Sequence, residues 1–282
     1  MINGRKIFLA KVSKETNFRA AIQQCFLKGG ILPMERTDEF IEAMSSLSND
    51  SVTPRFTSLA RELTEVSGFR HLTWNVGLKE WGEDENGTSH SKFQNWSKSN
   101  YDSYLFLIDP STKQFIPSSI SATTQVHYCQ YVGEHLARAR PVTTSSMHSS
   151  VHNTNAVDGT LIYWHAKSVF TNEPDWISVD LGSNFAIRTV MWLGRPDCCT
   201  ERNKNVQVWV GNHNLPDQSL WKDADFQAMN YCGMHPYSTP KSILSGVTCK
   251  YLMVGRYVTL VNHDWQQLNP MQIGEIGIFE ES

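Results

Sequence analysis

Six cysteines constrain the fold of this chain more than any other feature of its sequence, and two of them are adjacent. They are Cys25, Cys129, Cys198, Cys199, Cys232 and Cys249. An even number of widely spaced cysteines is typical of a disulfide framework. No CxxC pair or Cys/His cluster has the spacing of a zinc site. We therefore expect structural disulfides and an oxidising, extracellular setting.

Length, composition and charge favour a two-domain globular protein. The chain has 282 residues, 40% of them hydrophobic, which is enough for two separate cores. A net charge of −3 does not favour a nucleic-acid or membrane-surface partner. No apolar run reaches the ~18 residues that a membrane span needs.

Three glycosylation sequons begin at Asn49, Asn86 and Asn95, and they favour a glycoprotein that is secreted or forms the ectodomain of a membrane protein. The first residues lack the apolar stretch of a signal peptide. For a secreted protein, we therefore expect the natural start of the precursor to lie upstream of Met1.

The first third of the sequence has helical patterns. Apolar residues between positions 18 and 25 recur at helical spacing, which predicts an amphipathic helix that ends at Gly29–Gly30. A second helix is predicted to begin near residue 37, and a third short helical pattern covers residues 59–66. From residue 71 onward the pattern changes to short strands and polar loops.

Cys25 lies on the first predicted helix and Cys129 in the last predicted strand of this half. A bond between them would clamp the two elements and close a loop of about 100 residues. This layout resembles the C-type lectin-like domain over residues 4–132, which implies an α+β fold for a domain at residues 1–133. The matching segments are AIQQCFLKGGILP (21–33), TWNVGLKE (73–80), FQNWSKSNY (93–101) and HYCQY (127–131).

Two segments depart from the sugar-binding members of that family. Those members carry Glu-Pro-Asn or Gln-Pro-Asp where this chain has Lys98–Asn100, and Trp-Asn-Asp where it has Phe115–Ser118. Calcium needs several carboxylate oxygens, which lysine and serine do not supply. We therefore expect this half to lack the usual calcium-dependent sugar site, and either to bind a protein partner or to support the second domain.

The second half has the pattern of an all-β domain. The segment GEHLARARP (133–141) is typical of a linker. Beyond it, Gly, Pro and Asn turns separate five predicted strands, at residues 176–181, 187–193, 206–210, 257–261 and 273–279. Many short strands of this kind favour a β-sandwich or barrel.

The segment Arg195–Arg202 (RPDCCTER) contains the adjacent cysteines between two arginines. If Cys198 and Cys199 bond to each other, they close a strained ring outside the usual Cα spacing of disulfides, which is a stiff, flat, apolar ledge. Guanidinium groups are fixed forks of hydrogen-bond donors. The flat disulfide could contact the apolar edge of a sugar, and the two guanidinium groups could donate to its hydroxyls. This combination favours a carbohydrate site.

This segment resembles the signature of F-type lectins, Arg-Gly-Asp-Cys-Cys-x-Glu-Arg, with Pro196 in place of the glycine. The resemblance implies that Arg195 and Arg202 donate to the hydroxyls and the ring oxygen of L-fucose. It also implies that the Cys198–Cys199 disulfide packs against the sugar ring and that Asp197 orients an arginine.

The resemblance covers residues 137–282 and implies a discoidin-like, jelly-roll sandwich for that domain. It implies a disulfide between Cys232 and Cys249, which would contribute roughly 3 kcal/mol. Three further segments carry it: residues 139–146 (ARPVTTSS), 176–182 (WISVDLG) and 255–258 (GRYV).

The family also implies a structural calcium ion, held by an Asn-x-x-Asp-x-Asn loop and a carboxylate on the last strand. The matching loop here is NAVDGT (155–160). The resemblance assigns main-chain carbonyls of Asn155 and Thr160 and the carboxylates of Asp158 and Glu275 to the ion, which is hard-oxygen chemistry. The alternative is an Asp-Gly turn and a surface glutamate.

A histidine that contacts the sugar in the family is not matched, because its position falls on Ser168. The disulfide that ties this loop to the last strand is also absent, and Gly274 stands at one of its two positions. The nearest histidine, His165, is either the sugar contact or an ordinary surface residue. Tyr163 and Trp164 are either an apolar wall for the fucose methyl group or buried core.

The sequence therefore favours an extracellular lectin whose partners are fucosylated glycans. A single shallow site binds weakly, so we expect homo-oligomers to supply avidity. The alternative is an adhesion or receptor fragment that binds protein and has no working sugar site. An enzyme is disfavoured, because the sequence has no nucleophile motif, no Gly-rich phosphate loop and no HExxH.

Overall fold

The structure is a computed structural model of the chain. It divides into two compact units, residues 1–132 and 133–282, and the sequence places the boundary between residues 133 and 137. Among the described residues, no helix is long and apolar enough to cross a membrane. The residues that the structure describes are 7–31, 55–60, 72–74, 80–81, 105–109, 114–118, 123–131, 133–160, 162–167, 173–199, 202–236, 239, 244–262 and 270–280.

The N-terminal unit combines a helix with two antiparallel sheets. One sheet has the strand order β1-β8-β2 and the other has the order β5-β4-β3-β6-β7. The elements are β1 (Ile7–Asn17), α1 (Phe18–Leu27), β2 (Gly30–Ile31), β3 (Arg55–Ala60), β4 (Leu72–Trp74), β5 (Glu80–Trp81), β6 (Leu105–Asp109), β7 (Gln114–Ser118) and β8 (Thr123–Tyr131).

A disulfide fixes α1 to β8. Cys25 and Cys129 are fully buried and bonded, with their Cα atoms 5.4 Å apart. After the helix, Gly29 adopts a φ of 77°, a left-handed conformation that glycine takes without steric cost and that commonly ends helices. The first predicted helix is therefore confirmed, and the predicted clamp between helix and strand is present.

The helical pattern predicted for residues 59–66 is wrong at Leu59 and Ala60, which belong to β3 and pair with strands β4 and β6. A short apolar run has no decisive periodicity, so pairing with neighbouring strands determines its conformation. The predicted second helix, the three sequons and the segment Lys98–Asn100 lie outside the described residues. The C-type lectin-like assignment of this unit stays a prediction.

The C-terminal unit is an all-β sandwich with one short helix. Its main sheet has the order β13-β12-β14-β11-β16, with β9 also paired to β11, while β10 and β15 form a small second sheet. The elements are β9 (Val142–Thr144), a 3₁₀ turn (Asn153–Ala156), β10 (Trp164–His165), β11 (Asp175–Leu193), β12 (Val206–Gly211), α2 (Asp223–Ala228), β13 (Met229–His235), β14 (Leu244–Asn262), β15 (Gln272–Ile273) and β16 (Glu275–Glu280).

Two predicted strands, 176–181 and 187–193, are one long strand in the structure, β11. Its pairing with β14 shifts register between Asp180 and Phe185, and Gly182 within that stretch has a φ of 83°. The turn signal in the sequence therefore marks a bulge inside a continuous strand and not a loop between two strands.

The core lies between the sheet faces. On β12, Val206, Val208 and Val210 are fully buried, while Gln207 and Trp209 point to the other face, as period-2 alternation predicts. A second apolar cluster covers that outer face. Its buried members are Trp176, Leu215, Trp221, Met229, Tyr257 and Val261.

Three connections bring the predicted site residues to one end of the sandwich. The loop between β11 and β12 carries the adjacent cysteines. In the small sheet, His165 on β10 pairs with Gln272 on β15. Asn262 at the end of β14 donates its side-chain N–H to the carbonyl oxygen of Arg202 at 2.8 Å, which ties the cysteine loop to the main sheet. A further disulfide, Cys232–Cys249, joins β13 to β14.

Acid should destabilise this unit through a buried histidine. Burial lowers the pKa of His235 from 6.5 to about 4, and its ring packs edge-on against Trp192 with centroids 5.6 Å apart. Because the pKa of His235 is lower in the folded state, the unfolded state takes up a proton first as the pH falls below 6.5. The free energy of unfolding therefore has its full value above pH 6.5 and decreases as the pH falls towards 4, by about 3 kcal/mol at most. Calorimetry of the full chain should show the loss in wild type and a smaller one in His235→Phe.

The exposed His152 offers the matched control, since His152→Phe should retain the wild-type pH dependence. An equal loss of stability in His235→Phe and wild type between pH 6.5 and 4 would contradict this origin.

Candidate functional site

The adjacent cysteines form a disulfide in the loop that follows β11. The Cα atoms of Cys198 and Cys199 are 3.8 Å apart, and both residues are partly exposed. Cys199 has a φ of 66°, in the left-handed region that residues other than glycine rarely adopt. The bonded pair is therefore a short ring with little freedom, and it presents sulfur and methylene groups at the surface of the loop.

Asp197 holds the guanidinium group of Arg195 through two hydrogen bonds. Arg195 Nε and Nη2 donate to the two carboxylate oxygens of Asp197 at 2.5 and 2.8 Å. The hydrogen bonds from Arg195 hold the pKa of Asp197 at about 2, so the carboxylate is charged throughout the physiological range. The pair fixes the plane of the guanidinium group and leaves its remaining N–H groups at defined directions.

Tyr163 lies beneath the Arg195 guanidinium, whose central carbon is 3.9 Å from the ring centroid. Tyr163 is partly exposed and therefore borders the site. The neighbouring Trp164 is fully buried in the core. The predicted apolar wall is thus wrong for Trp164, which is a core residue.

His165 is only 9% exposed, so the alternative of an ordinary surface residue is wrong. Its Nδ1 lies 2.9 Å from the carbonyl oxygen of Ala166. A carbonyl only accepts, so Nδ1 carries the proton and Nε2 offers a lone pair. Burial lowers the pKa of His165, and the positive charges of Arg195 and Arg202 lower it further. The ring is therefore a neutral acceptor at neutral pH.

Arg202 lies on the other side of the disulfide from Arg195. It is partly exposed, and its backbone N–H donates to the carbonyl oxygen of Cys199 at 3.3 Å. Gln272, which pairs with His165 across the small sheet, accepts from Arg195 and donates to the carbonyl oxygen of Cys199. The structure therefore brings Arg195, Arg202, the disulfide and His165 to one place. The segment Thr200–Glu201 and the position of Ser168 lie outside the described residues.

His148 also borders this place, and the sequence contained no signal for it. Its ring stacks on that of His165 with centroids 4.3 Å apart, and its backbone N–H donates to the carbonyl oxygen of His165 at 3.1 Å. Its Nδ1 accepts the backbone N–H of Ser150 at 3.3 Å, which puts its proton on Nε2. A single histidine in an irregular loop has no sequence pattern that would place it here.

Gln272 and Asn203 are a second pair that the sequence did not indicate. Both are almost fully buried, at 1% and 2% exposure. Asn203 bonds the backbone of Gln272, and the side chain of Gln272 bonds Arg195 and the carbonyl oxygen of Cys199. Their spacing of 69 residues explains why no local pattern joins them.

The predicted calcium loop lies against the last strand. Glu275 is fully buried, so the alternative of a surface glutamate is wrong. Its two carboxylate oxygens accept the backbone N–H of Gly159 at 3.2 and 3.1 Å. Burial raises the pKa of Glu275 to about 8, and the nearby charge of Asp158 raises it too. A buried carboxylate with a second one beside it fits a divalent cation, which would favour the charged form.

The remaining predicted calcium residues belong to the same loop. Asp158 accepts the backbone N–H of Thr160 at 2.7 Å, and the Asn155 side-chain N–H donates to the carbonyl oxygen of Tyr163 at 3.2 Å. Within the described residues, no three His, Cys, Asp or Glu side chains form a metal-binding group. The two carboxylates therefore fit calcium only if main-chain carbonyls complete the ligand set, as the resemblance implies.

The arrangement at the cysteine loop suits recognition of a neutral polyol. It combines two guanidinium donors, an imidazole acceptor, an aromatic ring and a flat disulfide. Arg195 is already neutralised by Asp197, so the site does not require an anionic ligand. Fixed hydrogen-bond donors and an apolar ledge are the elements that orient a small polar ligand in a shallow site.

A comparison with known families matches residues 155–260 to the NedA-like, galactose-binding domain. The C-terminal unit contains a galactose-binding-like domain. No curated protein matches the chain. The match includes both arginines and the disulfide between them, and it ends before Gln272 and Glu275.

Solved structures similar to this chain include two lectins and a fucose-binding module. The lectin domain of lectinolysin complexed with Lewis B antigen is 20% identical, with a TM-score of 0.41, and covers 53% of this chain and 98% of its own. A fucolectin from striped bass (Morone saxatilis) serum is 19% identical, with a TM-score of 0.44 and coverages of 60% and 56%. A Streptococcus pneumoniae fucose-binding module is 20% identical, with a TM-score of 0.41 and coverages of 53% and 96%.

The Arg195–Asp197 pair generates a direct test. In wild type the carboxyl carbon of Asp197 should titrate near pH 2 by NMR, and in Arg195→Gln its midpoint should move up towards the ordinary 3.8, because the guanidinium no longer favours the charged form. An unchanged midpoint in the variant would show that Arg195 does not hold this carboxylate.

Proposed function

We propose that the C-terminal unit is a lectin domain that binds terminal L-fucose on extracellular glycans and catalyses no reaction. The observation that carries the proposal is the closed Cys198–Cys199 disulfide between Arg195 and Arg202, joined through Gln272 to Arg195 and to the strand of His165. The match of residues 155–260 to a galactose-binding domain family supports a carbohydrate ligand. The three disulfides support an extracellular setting.

In this proposal each group has a separate role. The guanidinium N–H groups of Arg195 and Arg202 donate to the sugar's hydroxyl and ring oxygens, while Nε2 of His165 accepts from a hydroxyl. The disulfide packs against the apolar edge of the ring, and Tyr163 lies next to it. Such a shallow site binds with a Kd on the order of 1 μM to 1 mM, so oligomers supply avidity on cells.

We also propose that calcium binds the 155–160 loop, through carboxylates of Asp158 and Glu275 and main-chain carbonyls of Asn155 and Thr160. When bound, the ion supplies positive charge to the buried carboxylates. Glu275 holds the Gly159 backbone through hydrogen bonds, and this contact ties the loop next to Tyr163 to the last strand. The role of the ion is therefore structural, and it does not touch the sugar.

For the N-terminal unit we propose a C-type lectin-like fold that binds protein or supports the second domain. The proposal that this unit lacks a calcium-dependent sugar site rests on the segments Lys98–Asn100 and Phe115–Ser118, which depart from the family's calcium-binding residues. The alternative for the whole chain is an adhesion or receptor fragment without a working sugar site. A glycan array with calcium present discriminates the two, since binding confined to fucosylated glycans supports the lectin and no binding supports the alternative.

Arg195 provides the mutational test of fucose binding. Arg195→Ala should weaken L-fucose binding by about a hundredfold, measured by isothermal titration calorimetry, because it removes charged donors from a small contact. Arg188→Ala is the matched control, since Arg188 lies on β11, the strand before the Arg195 loop, and donates to the carbonyl oxygen of Lys250 outside the site. Equal affinities of Arg195→Ala and wild type would rule out the proposed site.

Calcium removal provides the second test. A chelator should lower the thermal midpoint of the C-terminal unit in wild type, because a ligand of the folded state stabilises it by mass action. Glu275→Gln should lose most of this response, and Glu280→Gln, at the exposed end of the same strand, should keep it. A wild-type midpoint that is the same with calcium and with chelator would exclude the ion.

A further inference from the structure

Gln272 is buried at the centre of the proposed sugar site, although it does not belong to any motif of the sequence. It is 1% exposed and lies on β15, opposite His165 of β10. Its Oε1 accepts from Nη1 of Arg195 at 3.2 Å, and its Nε2 donates to the carbonyl oxygen of Cys199 at 2.7 Å. One side chain thus joins the guanidinium, the disulfide loop and the histidine strand.

The chemistry of these two contacts requires an amide. A guanidinium only donates and a carbonyl only accepts, so the bridging side chain must offer one acceptor and one donor about 2 Å apart. Glutamine does both without charge. Glutamate would face the carbonyl of Cys199 with a second acceptor, and methionine would remove both of these hydrogen bonds.

Asn203 holds the backbone of Gln272 in the matching position. The backbone N–H of Gln272 donates to Oδ1 of Asn203 at 2.9 Å, and Nδ2 of Asn203 donates back to the carbonyl oxygen of Gln272. Asn203 follows Arg202 directly, so this pair also fixes the second arginine relative to β15. The two amides therefore connect Arg195, the carbonyl oxygen of Cys199 and the backbone next to Arg202 to one short strand.

We propose that Gln272 is a positioning residue that sets the spacing between the Arg195 guanidinium, the Cys198–Cys199 ledge and His165, and thereby determines the affinity of the site. This inference rests on the proposed fucose-binding function. The geometry supports it because Arg195 has one partner in its own loop, Asp197, and one on a different strand, Gln272. Of these two hydrogen-bonded contacts, the one with Gln272 relates the Arg195 guanidinium to the strand that pairs with His165.

The test compares Gln272→Met and Gln272→Glu with wild type in the full chain. Both variants keep the size of the side chain and the backbone bonds to Asn203, and both lose the donor to Cys199. Gln207→Met is the matched control, because Gln207 is a glutamine on β12 whose side chain bonds only Trp209 among its described contacts. L-fucose affinity is measured by calorimetry, and hydrogen exchange of residues 196–203 is measured by mass spectrometry without sugar.

We expect both Gln272 variants to bind L-fucose at least about tenfold more weakly than wild type. Gln272→Met loses both hydrogen bonds, and Gln272→Glu sets a second acceptor against the carbonyl oxygen of Cys199. Exchange in residues 196–203 should be faster in both, and the thermal midpoint of Gln272→Met should stay close to that of Gln207→Met. Because methionine matches glutamine in length, a role in packing alone would leave the affinity and the exchange of Gln272→Met unchanged.

Two results would overturn the inference: wild-type affinity in Gln272→Met, or unchanged exchange of residues 196–203 in both variants. Failure of the proposed function gives a different result, since wild type itself would then bind no L-fucose. The exchange measurement needs no sugar, so it decides the positioning role even in that case.

Discussion

The covalent bond between neighbouring cysteines is the constraint on which the rest of the site depends. Cys199 has a left-handed conformation at this bond, and Arg195 and Arg202 lie three residues before and three residues after the two cysteines. Asp197 offsets the charge of Arg195 through their ion pair. Burial lowers the pKa of His165, and the neighbouring positive charges lower it further, so that a neutral acceptor lies beside the donors. The flat disulfide, the guanidinium donors and the imidazole acceptor are thus parts of one site.

The sequence predicted the fold where local patterns and long-range pairing agree. The valines of β12 alternate cleanly, and the first helix has both an apolar face and a glycine end. The prediction failed at Leu59 and Ala60, because their strand conformation depends on partners far away in the chain. It also divided β11 at Gly182, because a bulge in a long strand and a turn between two strands have the same local residues.

The site was predictable only as far as its residues are contiguous. The cysteines and arginines of the segment Arg195–Arg202 lie within eight consecutive residues, so its disulfide and its arginines could be assigned from the sequence. Trp164 and Tyr163 could not be separated, because which one faces the core depends on the pairing of β10 with β15. His148 and Gln272 reach the site from segments on either side of it, and only the folded sheets bring them together.

Chemical-shift mapping by NMR during titration with L-fucose tests the central claim most directly. The account predicts that the largest perturbations fall on Arg195, the Cys198–Cys199 loop, Arg202 and His165, with D-glucose as a sugar that leaves them unchanged. Perturbations elsewhere in the chain, or none at saturating L-fucose, would contradict it.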